Sequence, residues 1–456
     1  MYRTIFEAQH SFFQTLKLQQ ISYRIQKLKK LKQVILAYET EITEALHNDF
    51  KKHEFETLTS EIGVVINELN LYIKKLNKWS KPQTVKSSLL NFPSSAKIYR
   101  QAYGNVLIIA PWNYPFNLSI IPLINAVGAG NTVVLKPSEY SVHTSRVIEK
   151  ILQEVFPPEH VSVVQGDAKT SQELLRLPWN YIFFTGSTQV GKYVYEAAAR
   201  HLIPVTLELG GKSPVVIDAT ADLLLAAKRI VWGKFLNAGQ TCIAPDYVLI
   251  DQKSVNEFIN LLHKEIIAVY GDNPQLSEYY PRIINRNNWR RLVKTLEGQN
   301  IVSGGRHDEN DLYLEPTIVL NPSLQSDLMQ YEIFGPILPV ISYQNTEEME
   351  LVLQQHPNPL AFYIFSNDKS VQNYFIDKYG FGGGVINDTI VHIINHNLPF
   401  GGVGKSGLGQ YHGRYGFETF SRPKPVVKRG TWFDVPIRYL PPDKWKKRFI
   451  RLLMLR

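Results

Sequence analysis

The sequence predicts an α/β protein built on parallel sheets, and three observations carry that prediction. Short apolar runs of the fully buried strand type recur after residue 104, stretches of helical length separate them, and the alternation starts again after residue 213. The 456-residue length suits two to three domains, and 44% hydrophobic with 20% charged residues is a globular composition.

The elements follow in order. Over the first 80 residues Ile21, Ile25, Leu28 and Leu31, then Ile35, Ile42, Ala45 and Leu46, recur at three- and four-residue spacing, which predicts helices. Lys81 and Pro82 end that region, and residues 83–100 read as irregular, then extended. Strands are predicted at 106–110, 133–135, 161–164, 181–184 and 205–209, with helices at 117–127, 145–155, 168–175 and 190–200 between them. Such a sheet binds nucleotides beyond the carboxyl ends of its strands. A second series gives a strand at 214–218, a helix at 223–235, a strand at 247–251 and a helix at 255–270. Glycine clusters follow at 380–384 and 400–409.

One cysteine excludes a disulfide within the chain and makes a reducing compartment the default. The N-terminus lacks a basic flank before an apolar core, and no apolar run approaches the ~20 residues of a spanning helix. The expected location is cytoplasmic. The net charge of +9 is concentrated: residues 421–456 hold eleven Lys/Arg against two Asp, leaving the first 420 residues formally neutral. A neutral body argues against nucleic-acid binding.

The chemistry-bearing residues lie where strands end. Cys242, in NAGQTCIAPD (237–246), sits in a loop between a predicted helix and strand. Alone it reads more readily as a small buried hydrophobe than as a nucleophile. Glu208, in LELGGKSP (207–214), ends an apolar strand, where a carboxylate is costly to bury without a task; it suits a general base of raised pKa. The two glycines after it permit close backbone approach to a ligand. Asn113, in APWNYPF (110–116), suits an N–H donor to a developing oxyanion. FTGSTQVG (184–191) has the outer glycines of a dinucleotide fingerprint, but Thr188 replaces the middle one, so the cofactor pose is expected to differ from the usual one near a helix N-terminus. Lys136 and Glu139, in KPSE, are placed to reach ribose hydroxyls, and an acid there disfavours a 2′-phosphate. Glu332 and Phe334, in EIFGP, would point the same way in an extended segment, toward a ribose and a nicotinamide. The histidines show no HExxH or Cys/His ligand spacing, so no metal site is predicted.

Together PWNYPF, KPSE, FTGSTQVG, LELGGKSP, GQTCIAPDYV, EIFGP and the segment from PFGGVGKSGLGQYHG to FETFS (399–421) resemble the aldehyde dehydrogenase superfamily, in its order, over roughly residues 100–421. The short N-terminus and the YHG stretch look like its class 3 branch, which includes fatty-aldehyde enzymes. The resemblance implies an aldehyde dehydrogenase-like fold with a Rossmann-type cofactor domain (1–80 and 101–209), an α/β catalytic domain (210–400), a small bridging β-element (81–100 and 401–425) that supports a homodimer, and a tail (426–456). By position it makes Cys242 the nucleophile, Glu208 the general base and Asn113 the oxyanion donor. It assigns Trp112, Lys136, Glu139, Gly186, Ser187, Gly191, Leu209, Glu332 and Phe334 to NAD or NADP, and Tyr114 and Ile390 to the substrate tunnel.

The implied reaction oxidises an aldehyde to an acid through a thiohemiacetal and a thioester on Cys242, a thiol its surroundings should activate. Acyl transfer to coenzyme A is the alternative within catalysis, and a scaffold role is the alternative outside it. Residues 441–456 carry a separate expectation. Trp445, Phe449, Leu452 and Leu453 share one helical face, and Lys444, Lys447, Arg448 and Arg451 fall largely on another. That is the pattern of a helix lying in an anionic membrane interface, or of a basic arm docked on a partner subunit. The membrane reading favours a long-chain or otherwise lipophilic aldehyde.

Overall fold

A computed structural model describes residues 2–87, 91–434 and 436–455, without the side chains of Arg438 and Leu453. Leu453, expected on the apolar face of the tail helix, therefore lies outside the described side chains, and Arg456 outside the described residues.

The first parallel sheet has the spatial order Gly407–Leu408, Val205–Glu208, Tyr181–Thr185, Asn105–Ile109, Thr132–Lys136, Val161–Val163, and only its first strand is antiparallel. Chain order reverses at Asn105–Ile109, which lies between the strands that follow it first and third. Such a switch point opens a crevice beyond the carboxyl ends of the strands. The helix Asn117–Ala129 is buried along its whole length. It is held between the sheet and the N-terminal helices Ile21–Ala37 and Gly63–Trp79, whose Leu28, Leu31, Leu69, Tyr72 and Leu76 are fully buried. Leu28 and Leu31 of the three- and four-residue spacing read from the sequence lie on the buried face of Ile21–Ala37, while Ile42, Ala45 and Leu46 lie on the next helix, Glu39–Phe50, which packs on Val142–Val155.

The second sheet runs Ile301–Ser303, Thr317–Leu320, Ile337–Tyr343, Tyr247–Asp251, Pro214–Ile217, Ala361–Phe365, Gly383–Ile386, parallel except at its first strand. Pro214–Ile217 is its switch strand, and Gly210 and Gly211 join it directly to Val205–Glu208 of the first sheet. The two crevices are thereby joined by a five-residue connection.

A third, antiparallel sheet pairs Gln83–Val85, Ser94–Ala102 and Ser421–Arg429. Its last strand continues past residue 425, where the sequence reading began the tail. Gly407 and Leu408 pair with Glu208 and Leu207 on the cofactor sheet, not with the bridging strands. Both differences arise because ladder partners are set by non-local contacts. The tail ends in a helix, Lys444–Met454, capped by the Asp443 side chain accepting from the Lys446 N–H at 2.9 Å. Among the described residues, no helix is long and apolar enough to cross a membrane.

Candidate active site

Two strand ends and one turn converge on a cavity of about 170 Å³. Glu208 closes the strand Val205–Glu208, and Tyr114 follows the strand Asn105–Ile109. Cys242 follows the helix Leu223–Phe235 through the tight turn Leu236–Gly239. Cys242, Glu208, Tyr114, Thr241, Ile390 and Tyr411 line this cavity. The rest of the wall is largely apolar, with Leu118, Trp232, Ile243, Ile393 and Phe400. Tyr114 and Ile390 line the same cavity as Cys242, and Tyr114 Oη lies 2.7 Å from Thr241 Oγ1, beside the thiol.

Glu208 is buried, and neither carboxylate oxygen has a partner among the described residues. Burial alone raises its pKa well above the ordinary carboxylate range. Cys242 is half-buried. Desolvation, then the Glu332 and Glu208 carboxylates, push its thiol up to about 12, against the backbone N–H groups of Cys242 and Ile243, which favour the thiolate. The expectation was a thiol activated by its surroundings, whereas burial, the largest of these causes, disfavours the thiolate. A proton acceptor is needed, and Glu208, unpaired and raised, is chemically matched to that task.

Asn113 is buried, and its Nδ2 donates to the Gln240 carbonyl at 3.0 Å. One amide N–H is thereby committed and one remains for a ligand. Asn113 is held from the other side as well, because Asn237 Nδ2 donates to its carbonyl at 2.7 Å. Sequence reasoning missed Tyr411. Its buried hydroxyl has no partner among the described residues and lines the cavity, with Glu208 and Cys242 among the charges that raise its pKa. No local spacing announced it, since it reaches the site by pairing with Phe400 across a long excursion.

The cofactor side is built at the other strand ends. Ser187 caps the helix Thr188–Ala199, its hydroxyl accepting from the Val190 N–H, so the helix N-terminus opens at Gly186 as the fingerprint predicted. Gly191 packs so closely on Leu209 that a Cβ would meet the leucine at 2.5 Å. Lys136 Nζ, at the end of the strand Thr132–Lys136, pairs with Glu139 Oε2 at 2.6 Å. The EIFGP reading is corrected in its premise. Phe334 has φ 50°, so the segment is not extended and alternation does not set the side-chain directions. Phe334 instead packs edge-on against Trp112, with centroids 5.3 Å apart. Glu332 overlies Gly210, where a Cβ would overlap its carboxylate. The close approach that the double glycine allows is thus made by a carboxylate of the protein. Burial holds Glu332 up at about 8, and its Oε1 has no partner among the described residues. An exposed helix N-terminus and an ordered Lys–Glu pair at two strand ends of the first sheet, with an orphaned carboxylate oxygen from the loop before the strand Ile337–Tyr343, fit a dinucleotide's phosphates and two riboses.

A single thiol, a buried carboxylate unpaired among the described residues and a crevice beyond parallel strands, around one apolar cavity, fit a nicotinamide-dependent oxidoreductase. The sequence matches the family model "Aldehyde dehydrogenase family" over residues 2–426. It is 44% identical over 97% of its length to 4,4′-diaponeurosporen-aldehyde dehydrogenase of Staphylococcus aureus, covering 96% of that protein. It is 42% identical to aldehyde dehydrogenase family 3 member H1 of Arabidopsis thaliana, covering 95% of this chain and 90% of that one. The solved substrate-bound state of Staphylococcus aureus AldH superposes with a TM-score of 0.97 at 43% identity, covering 99% of each chain. Other solved structures of this fold hold NAD+ or NADP. The chain belongs to the aldehyde dehydrogenase family, and its relatives are class 3 members. It is an NAD(P)-dependent oxidoreductase that converts an aldehyde to the carboxylic acid.

Proposed function

We propose that Cys242 is the nucleophile, Glu208 the general base and Asn113 an oxyanion donor in the oxidation of a lipophilic aldehyde. The observation that carries this reading is the apolar cavity on which Cys242 and the unpartnered Glu208 both open. Glu208 takes the thiol proton, and sulfur attacks the aldehyde carbon, forming a C–S bond and an alkoxide. The Cys242 backbone N–H and the uncommitted Asn113 N–H are the donors for that charge. NAD(P)+, when bound, accepts the hydride from this carbon, which leaves a thioester on Cys242. Glu208, having passed the thiol proton on to solvent, then takes a proton from water, the oxygen adds to the thioester carbon, and the C–S bond breaks to release the acid, Glu208 returning its proton to the departing sulfur. A buried base with both oxygens free favours water over coenzyme A as the acyl acceptor.

Trp112, Lys136, Glu139, Gly186, Ser187, Gly191, Leu209, Glu332 and Phe334 are the cofactor contacts of this reading, and Tyr114 and Ile390 line the substrate path. The first sheet with the N-terminal helices forms the cofactor domain and the second the catalytic domain. The exposed strand Ser421–Arg429 belongs to the element that bridges a homodimer.

Apolar walls make chain length the discriminating variable, since each buried methylene contributes ~0.8 kcal/mol. Reduced-cofactor absorbance across short, aromatic and long-chain aldehydes is expected to show kcat/KM rising at least about tenfold from two to eight carbons. A preference for short polar aldehydes would sink the lipophilic assignment.

The tail supports a second contact, with an anionic membrane surface. Trp445, Phe449, Ile450 and Leu452 on the helix Lys444–Met454 are exposed beside Lys444, Lys447, Arg448 and Arg451. Binding to vesicles containing phosphatidylglycerol is expected to weaken at least tenfold when 441–456 is deleted, with soluble-aldehyde turnover unchanged. Unchanged vesicle binding would assign the helix to the partner subunit.

A further inference from the structure

Two wall residues of the cavity, Phe400 and Tyr411, are held to each other by a short antiparallel bridge. The Phe400 N–H donates to the Tyr411 carbonyl at 3.1 Å, and the Tyr411 N–H to the Phe400 carbonyl at 2.7 Å. The chain directly after Tyr411 is strained. His412 has φ 76° and Gly413 φ 52°, and a Cβ at Gly413 would meet the His396 carbonyl oxygen at 2.4 Å. A histidine at positive φ is disfavoured and persists only where its surroundings over-determine it. The strained residue reaches the wall itself, because the His412 ring stacks on Phe400 with centroids 5.3 Å apart and 28° between the planes.

The constraint comes from the N-terminal region. Glu68, on the helix Gly63–Trp79, is buried and does not itself line the cavity. Its Oε1 accepts the Gly413 N–H at 2.9 Å and Asn125 Nδ2 at 2.8 Å. That N–H is the first of the helix Gly413–Thr419 and has no partner within it, so the carboxylate supplies one. Glu68 Oε2 lies 3.1 Å from His396 Nδ1, within ion-pair reach but not aligned as a hydrogen bond. One turn along the same helix face, Tyr72 Oη donates to the Gly413 carbonyl at 3.1 Å. One buried carboxylate thus touches the chain on both sides of the Phe400–Tyr411 bridge, before Phe400 at His396 and after Tyr411 at Gly413.

We propose that Glu68 is a positioning residue for the substrate cavity, a reading that rests on this cavity being the aldehyde site. By holding Gly413 and His396 it fixes the Phe400–Tyr411 bridge, and with it the wall against which the aldehyde lies. Removing the carboxylate leaves the Gly413 N–H and the Asn125 amide without an acceptor and releases His412 from its strained shape. The wall then samples other positions, while the cofactor contacts assigned above lie on segments that Glu68 does not bond.

Glu68→Ala is expected to speed hydrogen exchange in the peptide spanning 396–416 about tenfold and to raise the KM for a long-chain aldehyde about tenfold, with the KM for cofactor within about twofold. Glu68→Gln keeps an oxygen for the Gly413 N–H and should recover most of both effects. A merely structural role would lower the melting temperature without splitting the two KM values. Unchanged exchange across 396–416 in Glu68→Ala would overturn the clamp, and faster exchange with an unchanged aldehyde KM would overturn its bearing on the cavity. Should Glu68→Ala fail to fold, Tyr72→Phe decides the matter: it removes only the bond to the Gly413 carbonyl and should move the same two readouts about threefold. Leu118→Ala alters a part of the wall that Glu68 does not touch. If it alone moves the aldehyde KM, the cavity reading stands and the clamp falls. If neither variant moves it, the cavity is not the aldehyde site and the role of Glu68 falls with that reading.

Discussion

Cys242→Ser is expected to lower aldehyde oxidation by roughly ten-thousand-fold or more while leaving cofactor affinity unchanged. The reason is chemical. The covalent step needs an anionic, polarisable atom on the aldehyde carbon, and a serine hydroxyl ionises far less readily than a thiol. The surroundings already disfavour the anion, because burial with the Glu332 and Glu208 carboxylates nearby pushes the thiol up to about 12. The same surroundings would act still more strongly against an alkoxide. The change in size is small and the cavity remains apolar, so folding and cofactor binding should survive. Reduced-cofactor absorbance measures the loss, and fluorescence titration with NAD+ and NADP checks the binding. A Ser variant retaining more than about one hundredth of wild-type kcat/KM would remove Cys242 from the chemistry.

Glu208→Gln separates the two halves of the reaction. Loss of a general base costs about 10²–10⁴ in the step it serves. If deacylation is that step, mixing the variant with aldehyde and cofactor should give a burst near one equivalent of reduced cofactor, then a slow steady state. Mass spectrometry should find the acyl group on Cys242. A uniformly slow reaction without a burst would place the main task of Glu208 in deprotonating the thiol. Stability should move the other way. The native-state pKa of Glu208 lies above its unfolded value, so above the unfolded pKa the native state retains a proton that the unfolded chain has lost. Stability from this group is therefore highest in mild acid and falls as pH rises through the window between the two values. The neutral Gln lacks this dependence. Thermal melts are expected to show the variant more stable than wild type at pH 8 and nearly equal to it at pH 5, a site where function opposes stability.

Much of the fold was legible because it is written in local chemistry. The runs at 106–110 and 133–135 are apolar without alternation because both sheet faces are covered, and they became Asn105–Ile109 and Thr132–Lys136. The helices Leu223–Phe235 and Val255–Tyr270 have the predicted bounds. Asp222 caps the first, its side chain accepting from the Leu225 N–H, and Gly271 in the left-handed region ends the second. The EIFGP segment was misread because alternation holds only for extended backbone, and the left-handed Phe334 is set by neighbours distant in sequence. Tyr411 was invisible because its place depends on pairing with Phe400.

The sequence by itself determined which groups this protein brings to its chemistry: one thiol, a strand-end carboxylate, an amide donor and glycine-punctuated loops at the ends of parallel strands. Composition also placed the surplus positive charge in the tail, since counting charges needs no coordinates. The tertiary structure alone decided how those groups behave. It left Glu208 without a partner among the described residues, buried Cys242 so that its pKa rises, committed half of the Asn113 amide to Gln240 and set Glu332 against Gly210. Residue type sets what a group can donate or accept. Desolvation and charge fields depend on every atom within several ångströms, and in this chain those atoms come from segments hundreds of residues apart.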